Sequence, residues 1–420
     1  MTRGYSDETQ QGYTMDTVME EAQRCLLCLD APCSAACPAG TDPARFIRSV
    51  RFRNLKGAAE TIRENNAIGG VCARVCPTER YCQQACSRCG IDRPIDIGGI
   101  QRFVTDFEET VGMEILKTGA ANGKKIGIIG SGPSGLQAAA ALLGLGYEVH
   151  IYEKSEKAGG YLRYGIPEYR LPERVVDREI EKIEKMGAEF HCGTDIGTDC
   201  TMDELKETYD AVLVAAGASV GKWLPMFEGN DRTETAVEFL ARVKAKGGKE
   251  EVPDHVVVIG GGDVAMDAAT TLKRLGAKRV TDVAYEELCE FLASEKELEG
   301  ARQAGVTIID GYIPEQVDGN TVTFKHRHMD ARLCLGADKI ILAVGQKPDV
   351  KSLGLEMEGN EAKADGYRTA DPEVFVTGDL AEGDKTVVWA VRKGKEAAQD
   401  RKSTRLNSSH ITLSRMPSSA

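Results

Sequence analysis

The chain has 420 residues, 42% of them hydrophobic and 28% charged, with a formal net charge of -12. That length exceeds what one hydrophobic core organises and points to roughly three domains. The acidic balance excludes a phosphate-backbone binder, so no nucleic-acid partner is expected. The opening "MTRGYSDETQ" has neither a basic nor an apolar leader segment, and no apolar run approaches the ~20 residues of a membrane span. A cytoplasmic protein with no membrane association is expected, and in that reducing compartment close-spaced cysteines read as metal ligands rather than disulfides.

In chain order, residues 1–118 form a Cys-rich region with helical patterns such as "DPARFIRSVRFRNLKGAAETIRENN". Nine of the 13 cysteines fall here. The first tract, "CLLCLDAPCSAACPAG", brings Cys25, Cys28, Cys33 and Cys37 together; the second, "CARVCPTERYCQQAC", holds Cys72, Cys76, Cys82 and Cys86, with Cys89 following. Thiolate is a soft ligand suited to iron–sulfur clusters or zinc. Structural zinc prefers regular C-x2-C pairs, and the uneven spacings fit it poorly. Both tracts carry a Cys-Pro, Cys37-Pro38 and Cys76-Pro77, as in ferredoxins whose cysteine runs serve two clusters. Spacing alone leaves Cys72 and Cys89 as candidates for the last corner. The scattered Cys192, Cys200, Cys289 and Cys334 read as ordinary core or surface residues.

From about residue 124 the pattern becomes α/β. "KKIGIIG" is a short apolar strand, "LQAAAALLGLG" a helix and "YEVHIYEK" a second strand. The turn between the first strand and the helix is G-x-G-x-x-G: Gly130, Gly132 and Gly135, with Pro133 and Ser134 opening the helix. In that context the glycines let backbone N–H groups approach a pyrophosphate at the positive helix end. Glu153, at the end of the second strand, suits a ribose diol. "HVVVIG", "AMDAATTLKRLG" and "AKRVTDVAYEE" repeat the unit, with Gly260, Gly262, Asp263, Val264 and Ala265 in the turn. Glu286, or less favourably Glu287, takes the ribose position, and a carboxylate there repels a 2′-phosphate, so NAD(H) is expected over NADP(H). "YDAVLVAAGA" and "DKIILAVGQKPD" close the two units, and "EVFVTGD" ends at Asp379 ahead of the helix beginning "VVWAV". The Ser-rich basic stretch 401–420 matches none of this and reads as a non-native tail.

Several segments carry a resemblance: "RCLLCLDAPCSAACPAGTDP", "GAAETIRENNAIGGVCARVCPTE", "PIDIGGIQRFVTDFE", "GIPEYRLPERVVDREI", "IGGGDVAMDAA" and "DKIILAVGQKPD". They resemble the flavin and iron–sulfur subunit of bacterial NAD-dependent dihydropyrimidine dehydrogenase and, more distantly, the small subunit of glutamate synthase. The resemblance implies an α/β chain with a helical N-terminal [4Fe–4S] domain (1–118) and two nested Rossmann-like domains. The FAD domain would be split (119–221 and 344–400) around an NAD(H) domain (222–343). It implies FAD, NAD(H) and two [4Fe–4S] clusters, one held by Cys25, Cys28, Cys33 and Cys86, the other by Cys37, Cys76, Cys82 and Gln101. It also implies FAD contacts from Gly130–Gly135, Glu153, Arg170, Asp379 and Thr386. The implied partner is an FMN- and iron–sulfur-containing subunit that reduces the pyrimidine. The alternative is the NAD(P)H-oxidising subunit of a glutamate synthase-like complex. The glutamate synthase relatives carry Tyr-Arg-Arg where this chain has Tyr285-Glu286-Glu287, which favours the first reading. No acid–base side chain is needed for hydride transfer to flavin, and no catalytic residue is assigned.

Overall fold

The computed structural model describes residues 4–400; the tail at 401–420 lies outside the described residues. The N-terminal region is helical: α1 (Met15–Gln23), α2 (Pro32–Ala35), α3 (Pro43–Arg51), α4 (Leu55–Asn65), α5 (Gly69–Val75) and α6 (Ile97–Thr110). The starts follow from capping chemistry. Thr14, Asp42, Asn54 and Asp96 each accept a backbone N–H three residues on, and Pro43 occupies the first turn of α3. Apolar residues at helical spacing, among them Phe46, Ile47 and Val50 on α3 and Ile100 and Val104 on α6, close one core. Cys25, Cys33, Cys82 and Cys86 lie against it.

The next unit runs β1 (Lys125–Ile129), α7 (Pro133–Gly144), β2 (Glu148–Glu153), α8 (Tyr161–Tyr164), α9 (Glu173–Lys185), β3 (Glu189–Cys192), α10 (Met202–Thr208) and β4 (Ala211–Val214). The short β5 (Val220–Gly221) leads out of it. A second unit follows: β6 (Thr233–Thr235), α11 (Ala236–Ala245), β7 (His255–Ile259), α12 (Asp263–Arg274), β8 (Arg279–Val283), α13 (Glu295–Gln303) and β9 (Thr307–Ile309). It continues through β10 (Tyr312–Asp318), β11 (Thr321–His326), β12 (Arg332–Gly336) and β13 (Lys339–Leu342). The chain then returns by β14 (Gln346–Lys347), β15 (Met357–Glu358), β16 (Glu361–Ala362) and β17 (Val374–Val376) to α14 (Val387–Ala398).

Both units are five-stranded parallel sheets, ordered β17-β4-β1-β2-β3 and β6-β13-β7-β8-β9, so the glycine-rich turns leave equivalent central strands, β1 and β7. This is the doubly wound α/β class expected from the sequence. Near-continuous apolar strands such as "KIGII" and "HVVVI" suit sheets covered on both faces. The meander β10–β12 covers one face of the second sheet through Val322 and Phe324, and the sequence reading had no counterpart for it. The outgoing and returning connections pair antiparallel as β5 and β14, with Gln346 opposite Gly221.

The helical region is joined to the first sheet by buried polar contacts. The Arg63 guanidinium is held between Glu108 on α6 and Glu179 on α9, and Ala67 N donates to Gln137 Oε1 on α7 at 2.8 Å.

Candidate functional site

Cys25, Cys28, Cys33 and Cys86 line one pocket with Ile47, Ile95 and Ile97. Cys25 follows α1, and Leu27 at φ 55° reverses the chain so that Cys28 returns to the same pocket. Cys33 sits on α2, and Cys86 precedes a 3-10 turn. All four thiols are free. Burial, reinforced by the neighbouring thiols, pushes Cys25 up and Cys33 up to about 11. Four soft donors around an apolar pocket lined by no carboxylate or imidazole fit a thiolate-bound metal cluster.

A second group adjoins it. Burial raises the Cys76 thiol well above its ordinary value, with Cys72, Cys82 and Cys37 adding like charge. Cys82 is pushed up by burial, then by Cys37 and Cys33, which places the two groups side by side. Cys72 is buried on α5, and burial takes it up to about 12. Gln101, on α6, is buried and donates from Nε2 to Gly69 O at 2.8 Å. Cys72 lies with the second group, as its spacing allowed, because one turn of α5 puts it beside Cys76. Cys89 is exposed, with Sγ against Gln83 O.

The first glycine turn is set by close approach. A Cβ on Gly130 would stand 2.5 Å from Ala215 O, and one on Gly135 would stand 2.0 Å from Gly130 O, whereas Gly132 faces open space. The open side lies at the N-terminus of α7, a cradle for a pyrophosphate. Glu153 is buried at the end of β2; its Oε2 accepts from Ser131 N (3.1 Å) and Ser131 Oγ (2.5 Å) and its Oε1 from Ser155 N (2.9 Å). Pro133 sits in the first turn of α7, and Ser134 Oγ meets Thr377 Oγ1 at 2.9 Å, tying α7 to the end of β17. The α14 helix crosses α7 through Gly394, where a Cβ would be 2.3 Å from Ser134 O. Asp379 lies just after β17, its carboxyl raised by burial. Thr386 caps α14, and its Oγ1 is buried without a hydrogen-bond partner. That orphan hydroxyl at a helix N-terminus beside the open cradle fits a polar ligand such as a flavin dinucleotide.

Arg170 lies where the first nucleotide unit meets the second. Its Nη1 contacts Asp267 Oδ2 at 2.6 Å on α12 and its Nε lies 2.9 Å from Glu297 Oε1 on α13. It links the two nucleotide units. Lys244 does the same from α11, donating to the carbonyls of Leu162, Ile166 and Leu171. Gln346 Nε2 donates to Tyr161 Oη at 3.1 Å across the same junction. Sequence reasoning missed Lys244, Asp267 and Ser131, whose roles depend on contacts far apart in the chain or on a turn's local geometry.

In the second turn a Cβ on Gly260 would stand 2.4 Å from Ala343 O, and Gly262 again faces open space. Asp263 Oδ1 accepts from Ser294 N at 2.7 Å; Val264 is half-buried and Ala265 fully buried at the start of α12. Glu286 Oε2 lies 2.4 Å from where a Gly261 Cβ would be, so its carboxylate rests on the turn itself. Ala293 N donates to Gly261 O at 3.0 Å and closes the loop from below. Among the described residues no helix is long and apolar enough to cross a membrane.

Residues 2–113 match the family described as dihydropyrimidine dehydrogenase domain II, 4Fe-4S cluster, and residues 124–394 match pyridine nucleotide-disulphide oxidoreductase. The chain is 56% identical to the NAD-dependent dihydropyrimidine dehydrogenase subunit PreT of Escherichia coli K12, covering 94% of this chain and 96% of that one. The glutamate synthase [NADPH] small chain of the same organism is 31% identical over 90% of this chain and 89% of its own length. Among solved structures, Lactococcus lactis thioredoxin reductase superposes with a TM-score of 0.52 at 22% identity, covering 67% of this chain and 99% of that one, a likeness of fold alone. With a 4Fe-4S domain ahead of a pyridine-nucleotide oxidoreductase domain, and 56% identity along nearly its whole length, the chain belongs to the family of NAD-dependent dihydropyrimidine dehydrogenase PreT subunits.

Proposed function

We propose that the chain is the electron-input subunit of an NAD-dependent dihydropyrimidine dehydrogenase. It oxidises NADH at FAD and passes the electrons through two [4Fe–4S] clusters to a partner subunit carrying FMN and iron–sulfur centres. There the electrons, with two protons, reduce uracil or thymine to the 5,6-dihydro base, so the net reversible reaction of the two subunits is pyrimidine, NADH and a proton to dihydropyrimidine and NAD. The helical region 1–118 holds the clusters, 119–221 with 344–400 the flavin, and 222–343 the nicotinamide nucleotide. Flavin, when bound, accepts a hydride and releases electrons singly, the property needed between a nicotinamide and a cluster.

One observation carries this reading. Cys72 belongs to the same hydrophobic core as Leu136 on α7 and Val388 on α14, with Cys37 and Cys76 packed against it. The second cysteine group therefore shares its packing with both helices of the flavin cradle. Lys395 on α14 reinforces the joint, donating to Ala39 O at 2.6 Å.

The chain's own residues do the positioning. Gly130–Gly135 and the α7 N-terminus take the flavin pyrophosphate, Glu153 its ribose, and Asp379 and Thr386 the far end. Gly260–Ala265 and Glu286 take NADH. Arg170 with Asp267 and Glu297 fixes the separation of the two nucleotide units. Cys25, Cys28, Cys33 and Cys86 hold one cluster; Cys37, Cys76 and Cys82 hold the other with Gln101.

The test is iron, sulfide and flavin analysis of anaerobically purified protein, with spectra before and after NADH. About eight irons per chain are expected, and flavin and cluster bleaching by NADH. Zinc, or no metal, would refute the reading. Gln101→Ala should lose one cluster and Cys72→Ala keep both; the reverse result would make Cys72 the ligand.

A further inference from the structure

On the face of the first sheet opposite Glu153, three metal-ligating side chains converge at its outer edge. His150 lies on β2, and Glu189 and His191 on the edge strand β3; register sets His150 against Glu189 and Tyr152 against His191. Their ligating atoms all lie within 4.8 Å of one another. His150 Nδ1 is 3.1 Å from His191 Nε2. The Glu189 carboxylate straddles the pair, Oε2 3.6 Å from His150 Nδ1 and Oε1 3.6 Å from His191 Nε2. Tetrahedral ligands at zinc distances stand about 3.3–3.4 Å apart, so this triangle matches three ligands of one ion.

The surroundings fix the ligands. His150 Nε2 is 3.0 Å from Glu148 Oε1, itself paired with Lys125 at 2.7 Å. In the tautomer that donates Nε2–H to Glu148, Nδ1 presents its lone pair to the gap, the carboxylate–histidine arrangement that supports metal ligands. Stacking holds the rings: Tyr152 lies on His191 at 4.8 Å between centroids, and His150 is parallel to His191 at 5.4 Å. Tyr209 braces His150 at 5.3 Å.

We propose that His150, Glu189 and His191 form a binding site for a borderline divalent cation of the zinc class, separate from the cysteine groups and the nucleotide sites. Two imidazoles and a carboxylate are the donor set such ions prefer over magnesium or calcium. The ion clips edge strand β3 to β2, replacing a bare imidazole–imidazole contact, and leaves a coordination position for water.

The experiment uses holoprotein with its clusters and flavin in place, dialysed anaerobically against buffered zinc at micromolar free concentration, with zinc and iron counted per chain. Wild type should take up one zinc with iron unchanged. His191→Ala and the exposed Glu189→Gln, which leaves the fold intact, should bind far more weakly, and Glu148→Gln about 10–100-fold more weakly. No zinc uptake by wild type, equal uptake by wild type and His191→Ala, or uptake matched by iron loss would each overturn the site.

Discussion

Replacing Glu286 by alanine should sharply weaken the preference for NADH. The carboxylate rests on the Gly260–Gly262 turn, half-buried, where an adenosine ribose would meet it. A 2′-phosphate there carries about -1.5 to -2 charge. Two unit charges about 4 Å apart repel by about 1 kcal/mol even in bulk water, so the dianion costs about 2 kcal/mol at the solvent-screened limit. Charge-assisted hydrogen bonds to the NADH ribose add about 1.5–3 kcal/mol to the same preference. The smaller of these sums corresponds to a discrimination of a few hundredfold, at about 1.4 kcal/mol per factor of ten. The nearby cation Arg327 does not offset it: it ion-pairs with Glu290 at 2.6 Å and lies over the Tyr285 ring at 4.3 Å. The assay is anaerobic reduction of an artificial acceptor, comparing kcat/KM for NADH and NADPH. Glu286→Ala should lower the ratio at least about thirtyfold, with Glu287→Ala as control. An unchanged ratio in Glu286→Ala, or the change appearing in Glu287→Ala, would refute the assignment.

Arg63→Met should leave the buried Glu108 and Glu179 unpaired and cost about 3–5 kcal/mol in denaturant unfolding, with Glu108→Gln and Glu179→Gln recovering most of it; a loss below about 1 kcal/mol would refute the account. Gly394→Ala puts a Cβ against the Ser134 carbonyl, backbone that cannot give way, and should release flavin into the filtrate, while Gly300→Ala, with nothing within 4 Å of the new carbon, should not. Burial lowers the Lys244 ammonium to about 8. Between there and the unfolded value of about 10.4 the folded chain binds fewer protons than the unfolded one. This lysine therefore makes stability rise with pH across that window, by at most about 1.4 kcal/mol per unit, and Lys244→Met should flatten the slope.

Two glycine turns, each after an apolar strand, were enough to read both nucleotide units, because strand, turn and helix are contiguous there. The first cysteine group was legible for a similar reason: three of its four members lie within nine positions, and the structure brings Cys86 to them. The environment of the second group was less legible. Whether Cys72 or Gln101 faces it depends on how α5 meets α6, a tertiary contact that spacing does not encode. Arg170 shows the same limit, since the sequence says nothing of the Asp267 and Glu297 that hold it. The meander β10–β12 was not legible, although "TVTFKH" alternates, because its strands are short and bury only Val322 and Phe324 fully.

The packing also explains why electron input and cluster binding belong to one chain rather than to two that meet. Cys37 and Cys76 lie against a core whose other members include Ile126, Leu136 and Val391 of the first nucleotide unit. The buried Arg63 ties α4 and α6 to α9, and Lys395 ties α14 to the loop after Cys37. Burying a charge this completely is costly unless every partner is present, so the helical region is held in one orientation against the flavin unit. Electron transfer between bound groups requires a fixed short separation, and a core shared by the cysteine groups and the first nucleotide unit would supply one. Between the nucleotide units, Arg170, Lys244 and Gln346 supply the polar contacts. The nucleotide units are joined by the same two devices, since Tyr169 from the first unit is buried in the core of the second with Phe239 and Met266, and the buried Arg170 is paired on both sides, so opening this joint would expose apolar core and leave Asp267 and Glu297 unpaired.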